Sequence, residues 1–159
     1  MHRGHAAQRH LQRDYRRDVA CDQVVNVKQF ITRTRARYCE TDAAGVVYYG
    51  SFMHYFEVGK MEVFRELGLP YDREIPIVET KCRYPAPCHF DELLEIRTWF
   101  DDISTRSFRV RSEVYRVEDD GRFVLVGEGY TVHVSVGDNR TAAPLPEQFT
   151  RAFAGLEQG

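Results

Sequence analysis

The chain has no apolar run near 18 residues, so no segment is long enough to cross a membrane as a helix. Its first residues hold no apolar stretch of the kind a secretory signal needs. An excess of one charge sign is missing too. The 22 Lys and Arg oppose 24 Asp and Glu, and the resulting net charge of −2 gives no global electrostatic case for nucleic acid. The four cysteines, Cys21, Cys39, Cys82 and Cys88, are scattered without a CxxC pair, and a chain of 159 residues does not need a disulfide scaffold. Reduced, structural thiols in a cytoplasmic protein are the expectation. Cys88-His89 ahead of Asp91 is the nearest thing to a metal-ligand run. Adjacent residues on a strand point to opposite faces, so one ion cannot easily use both. Neither a metal nor a cofactor is expected.

Composition bounds what remains. At 43% hydrophobic and 29% charged, the chain has the balance of an ordinary globular protein with one sizeable core. Residues 1–26 are set apart. Arg3, Arg9, Arg13, Arg16 and Arg17 alternate with few apolar residues and no sustained period, which predicts a disordered basic tail. A single domain is expected over 27–154, with a short tail at 155–159.

Within that domain, residues 51–67 have no proline and a single glycine, and read as a helix of roughly 25 Å at 1.5 Å per residue. Phe52, Phe56, Val63 and Leu67 share one face, Met53, Tyr55 and Phe64 widen it, and Val58 and Met61 lie on the far side. Such a helix is expected to be covered all round. Gly68 and Pro70 end it. Strands are predicted over 27–38, 75–84, 93–100, 107–117 and 123–136. Leu94, Ile96, Thr98 and Phe100 form one inward row, and Phe108, Val110 and Val114 another. In the last strand Val124, Val126, Tyr130, Val132, Val134 and Val136 alternate, while Gly127 and Gly129 predict a bulge or bend. Asp119-Asp120-Gly121 marks a hairpin, and 144–153 a short terminal helix. The order is strand, helix, then four strands in meander or hairpin relation. The class is α+β, a curled antiparallel sheet of about five strands wrapped around one long helix.

Ahead of the helix, residues 40–50 have the acidic, small and glycine residues of a turn. Asp42 stands there, near the helix start, where free N–H groups and the dipole favour a carboxylate. The same N–H groups can donate to an oxygen that gains negative charge during a reaction. An anionic group beside an oxyanion site is a minimal hydrolytic arrangement, the carboxylate acting as nucleophile or as general base on water. The other reading of Asp42 is a turn or cap residue.

The stretch ETDAAGVVYYGSFMHYFEVGKMEVFRELGLPY resembles the signature of acyl-CoA thioesterases of the 4-hydroxybenzoyl-CoA thioesterase type. The resemblance implies the hotdog fold, in which two protomers join edge strands into one sheet, with dimers assembling to a homotetramer. It implies an acyl-CoA substrate, Asp42 as the catalytic carboxylate, and the Tyr49 backbone N–H, beside Gly50, as the donor to the thioester carbonyl. Many relatives carry His where Tyr49 stands, so only a backbone role transfers. A sister branch places its carboxylate on the central helix, which makes Glu57 a second candidate, with an orienting role or a helical pairing as the alternatives. Arg106, in the turn DISTRSF, matches a position where a basic residue meets the CoA phosphates. Two other readings stand beside this one. A non-catalytic hotdog module would bind acyl-CoA or a related ligand without turnover. A hotdog hydratase or dehydratase would need a His paired with a helical carboxylate, and no matching His is found.

Overall fold

Proline decides where the second strand goes, and that strand sets the shape of the sheet. The computed structural model describes residues 28–71, 74–138 and 141–156. The tail expected over 1–26 and the last three residues lie outside these. The elements are β1 (Phe30–Arg35), α1 (Phe52–Leu67), β2 (Ile77–Arg83), β3 (Leu93–Asp101), β4 (Ser107–Val117), β5 (Phe123–Val134) and α2 (Glu147–Leu156). All strand pairings are antiparallel, in the order β1-β3-β4-β5-β2. The expected run of four strands in succession therefore holds for β3, β4 and β5 but not for β2. Pro85 and Pro87 follow β2 directly and cannot donate to a ladder. β2 does not turn back on β3; it crosses to the far edge and pairs with β5.

The predicted bulge in β5 is present. Val114 of β4 faces Gly127, while the next residue, Tyr115, faces Leu125, which leaves Val126 as the extra residue. Its effect on the faces was not expected. Before the bulge the inward row is even-numbered, with Val126 fully buried; beyond it Thr131, His133 and Ser135 are buried and Tyr130, Val132 and Val134 are not. The expected apolar row of β5 thus turns outward after Gly127, and a polar row faces the helix.

α1 lies across the concave face of the sheet. It packs so closely that a Cβ on Gly59 would stand 2.3 Å from Thr98 Oγ1 and 2.9 Å from Ile96 Cγ2. Gly127 meets the Phe52 ring in the same way, at 2.4 Å. At the C-terminus, Gly68 takes φ +65, and the Leu69 N–H returns to the Phe64 carbonyl at 2.8 Å, which closes the helix with a Schellman pair. Phe52, Tyr55, Phe56, Val63 and Phe64 are buried. His54, Glu57, Val58, Glu62, Arg65 and Glu66 are exposed. Within one protomer the helix is therefore covered on its sheet side and open on its back.

Two apolar clusters result. One holds Phe52, Tyr55 and Phe56 against Leu94, Ile96, Val114 and Val126. The other holds Phe64 against Phe100 and Phe108, sealed by Phe149 and Phe153 of α2 with ring centroids 5.0–6.1 Å apart. Burying each such ring contributes roughly 2–3 kcal/mol. No helix among the described residues is long and apolar enough to cross a membrane.

Candidate active site

The turn-forming residues ahead of α1 fold back on themselves. The Tyr48 N–H reaches the Glu40 carbonyl at 2.8 Å, Thr41 bridges Val47, and the Asp42 N–H meets the Val46 carbonyl at 2.9 Å. Gly45, at φ +75, makes the turn, and its N–H donates to the Asp42 carbonyl. The loop is pinned to the residues before β3 by a Val46–His89 bridge and by the Val47 N–H on Cys88.

Asp42 sits at the exposed tip of this hairpin. Its Oδ1 accepts the Ala44 N–H at 2.8 Å, the Asx geometry of a tight turn. The sequence reading placed it beside the helix N-terminus. Its recorded amide partner belongs instead to its own turn, and α1 begins ten residues later. From Val46, its cross-hairpin neighbour, three extended residues or about 10 Å lead to Tyr49.

Tyr49 opens a 3-10 turn, Tyr49–Ser51, that runs into α1. The neighbouring N–H groups of Tyr48 and Ser51 are used, on Glu40 and Tyr48 carbonyls. Those of Tyr49 and Gly50 make no hydrogen bond among the described residues, as the first groups of a helix do not. The Tyr49 ring is exposed and packs on Tyr48 at 4.3 Å.

Glu40 organises the loop, and the sequence reading missed it, taking it as one more acidic turn residue. It is 4% exposed. Its carboxylate accepts the Arg37 N–H at 2.8 Å, the Arg37 guanidinium at 2.6 and 2.9 Å, and the Tyr55 hydroxyl of α1 at 2.7 Å. Burial alone would raise its pKa; the Arg37 and Tyr55 donors outweigh that and hold it below the usual carboxylate range. Burial and this carboxylate push the Tyr55 phenol up, so it stays a donor. Ser51 Oγ adds a bond to the Glu40 carbonyl at 3.2 Å. Loop and helix start are thereby locked together.

From the first turn of α1 a cavity of about 510 Å³ runs along the helix, between it and β2 and β5. Glu57 lines it and is exposed. Lys60 lines it too and is 7% exposed; burial lowers its pKa and the Glu57 charge partly offsets this. His133, 3% exposed, lies flat on Phe108 with centroids 4.9 Å apart and its Nε2 3.0 Å from Thr131 Oγ1. Burial, and then Lys60, push its pKa down to about 4, so the ring is neutral near pH 7. Sequence reasoning missed Lys60 and His133 as pocket residues. The only signal for His133 was the glycine pair that marked the bulge.

Arg106 is in the turn between β3 and β4. Its N–H donates to Ser104 Oγ at 3.2 Å, its carbonyl accepts from Ser135, and its side chain is exposed. That turn ends β3, whereas the Asp42 hairpin is pinned beside the start of β3. The nine residues of β3 separate them by about 25–30 Å. One protomer thus brings Asp42, Tyr49 and Gly50 together ahead of α1, sets Glu57 on the cavity wall, and leaves Arg106 at the far end of β3.

Known proteins share both the sequence and the architecture. A family model described as "Thioesterase superfamily" matches residues 44–122. The chain is 35% identical over 123 residues to "Putative acyl-CoA thioesterase YneP" of Bacillus subtilis (strain 168), a match covering 74% of this chain and 84% of that protein. It is 32% identical over 80 residues to "Acyl-CoA thioester hydrolase YbgC" of Escherichia coli O157:H7, covering 46% and 60%. In three dimensions it resembles Slr0204, a 1,4-dihydroxy-2-naphthoyl-CoA thioesterase from Synechocystis, with a TM-score of 0.73 at 22% identity over 82% of this chain and 98% of that one. The five-stranded antiparallel sheet with its long helix matches Slr0204 in fold, and with YneP matched over most of its length, the chain belongs to the Thioesterase superfamily and has its hotdog fold.

Proposed function

We propose that the protein hydrolyses acyl-CoA thioesters to the free acid and CoA, with Asp42 as nucleophile or general base. The observation that carries this reading is a hairpin carboxylate ahead of a helix start whose Tyr49 and Gly50 amides are uncommitted among the described residues, with an acyl-sized cavity running along that helix from its first turn. As nucleophile, Asp42 adds to the acyl carbon and expels the CoA thiolate, which leaves a mixed anhydride that water cleaves to acid and restored carboxylate. As base, it takes a proton from the attacking water, and the thiolate leaves directly. Either way the carbonyl oxygen gains charge, and the Tyr49 N–H at the helix start receives it. Glu57, on the cavity wall, orients the acyl group or the water. The names of the Bacillus subtilis and Escherichia coli relatives support this class of substrate.

Arg106 meets the CoA phosphates across a dimer. β2 is the free edge beside β5. A two-fold pairing of β2 with its copy is antiparallel and reverses the ends, so the partner's β3–β4 turn comes to the Asp42 end of this protomer. The working unit is therefore a homodimer, assembling further to a homotetramer, of the domain over 27–154, in the cytoplasm. Asp42→Asn keeps the turn, since Asn caps almost as well. It is expected to lower kcat by about 10²–10⁴-fold, the scale of a positioned acid–base group. CoA release, followed with a thiol reagent over a panel of acyl-CoAs, measures it. Unchanged turnover would move the role to Glu57, whose Gln variant belongs in the same series.

A further inference from the structure

Lys60 is a buried cation with no ion-pair partner among the described residues. It is 7% exposed, and no hydrogen bond or ion pair among the described residues engages its ammonium. Glu57, one helical turn away, acts on it only through space and is itself exposed. A bare ammonium in such a place is costly, and an anion bound beside it would offset that cost. The residues around it do not compensate. His133 is neutral near pH 7, and its Nε2 is occupied by the Thr131 hydroxyl. Phe56, Phe64, Phe108 and Phe149 supply apolar walls.

The position along the helix is informative. Lys60 is ten residues after Gly50, or about 15 Å along the axis, and helical side chains lean back toward the N-terminus. An acyl group whose thioester lies at the Tyr49 and Gly50 amides and whose chain follows the cavity meets the ammonium near its far end. A purely aliphatic chain would bury the charge further and leave it unpaired.

Resting on the thioesterase reading above, we infer that the preferred substrate carries a carboxylate at the distal end of a medium-length acyl group, paired there with Lys60. The acyl chain packs on the four phenylalanines, the carboxylate neutralises the ammonium, and hydrolysis releases a dicarboxylic acid.

The test compares two matched thioesters: the plain eight-carbon acyl-CoA and the mono-CoA thioester of the eight-carbon dicarboxylic acid. The full chain should favour the second in kcat/KM by about ten- to hundredfold, the scale of one charge-assisted hydrogen bond. Lys60→Met keeps the length and deletes the charge. It should remove that preference, bringing the kcat/KM values of the two thioesters within about threefold of each other. It should also melt at a higher temperature, because the unpaired charge is gone. Equal loss on both substrates, no loss on either, or a lower melting temperature would overturn the inference. Calorimetric binding of the free eight-carbon dicarboxylic acid, with the monocarboxylic acid as control, separates the two readings. Lys60-dependent binding without turnover of any thioester would overturn the hydrolytic role and uphold the pocket; Lys60-independent binding, or none, would overturn the pocket whatever the turnover.

Discussion

His133 ties the pocket to pH. Its pKa of about 4 in the folded protein lies below the ordinary 6.5 because burial, and then Lys60, disfavour its cation. Between pH 6.5 and 4 the unfolded chain takes up a proton that the folded chain refuses. The stability from this residue is therefore complete above pH 6.5 and falls as the pH drops, by about 3 kcal/mol in all at 1.36 kcal/mol per unit. Glu128, raised by burial, works against this trend, and Glu40, held low, adds its own loss at the acid end of the window and below. Lys60 acts at the alkaline end. Comparing His133→Asn with the wild type removes these shared terms. Denaturant unfolding at pH 6.5 and 4.5, at fixed chain concentration, should show the wild type losing much more stability than the variant. Equal losses would show that the ring already takes a proton in the folded state.

At the scale of elements, the helix and sheet were legible where local pattern and final environment agree. β4 appears at its predicted bounds because Phe108, Val110 and Val114 alternate and face the core. β3 and α1 differ from their predicted bounds by one residue. Legibility failed at β5, where one extra residue moved the inward row from even to odd numbers and turned Val132 outward in favour of His133. Composition cannot reveal a face that depends on a backbone irregularity. The Asp42 loop was legible as a turn, but Glu40 was not legible as its anchor, because its partners Arg37 and Tyr55 lie on either side of the turn and meet it only once the chain has folded. The contact of α1 with β3 gives a prediction at this scale. Alanine in a helix is favoured over glycine by about 1 kcal/mol, whereas overpacking costs typically 1–3. With Thr98 and Ile96 both buried and their atoms 2.3 and 2.9 Å from the new Cβ, overpacking wins. Gly59→Ala should lower stability by about 1–2 kcal/mol in denaturant unfolding, and a stabilised variant would mean that the helix lifts off the sheet freely.

The whole molecule has an unguarded side. β2 leaves Ile77 49% and Val78 58% exposed on the sheet edge, and natural proteins cover or charge such edges. In the proposed dimer the edge is covered by its copy. Val78→Lys should give a monomer by sedimentation at micromolar concentration and, because Arg106 then has no partner site to serve, a raised KM for acyl-CoA. A dimer that survives the change, or a monomer with an unchanged KM, would remove β2 as the shared edge.

The strand order also bears on how the chain reaches this state. β3 and β4 meet through residues such as Thr98 and Ser112, 14 apart, whereas β1 meets β3 through Arg33 and Glu95, 62 apart, and β2 meets β5 through Glu79 and Tyr130, 51 apart. Closing the longer loops costs about 1 kcal/mol more in chain entropy, and distant pairings slow folding. The three-strand meander is thus the part able to form early, with both outer strands added late. One of these two late strands, β2, is also the one that the proposed dimer pairs with its copy. In the proposed dimer, assembly therefore inherits a late intramolecular step: raising the concentration speeds the meeting of two chains, but not the docking of β2 that makes either of them ready to meet.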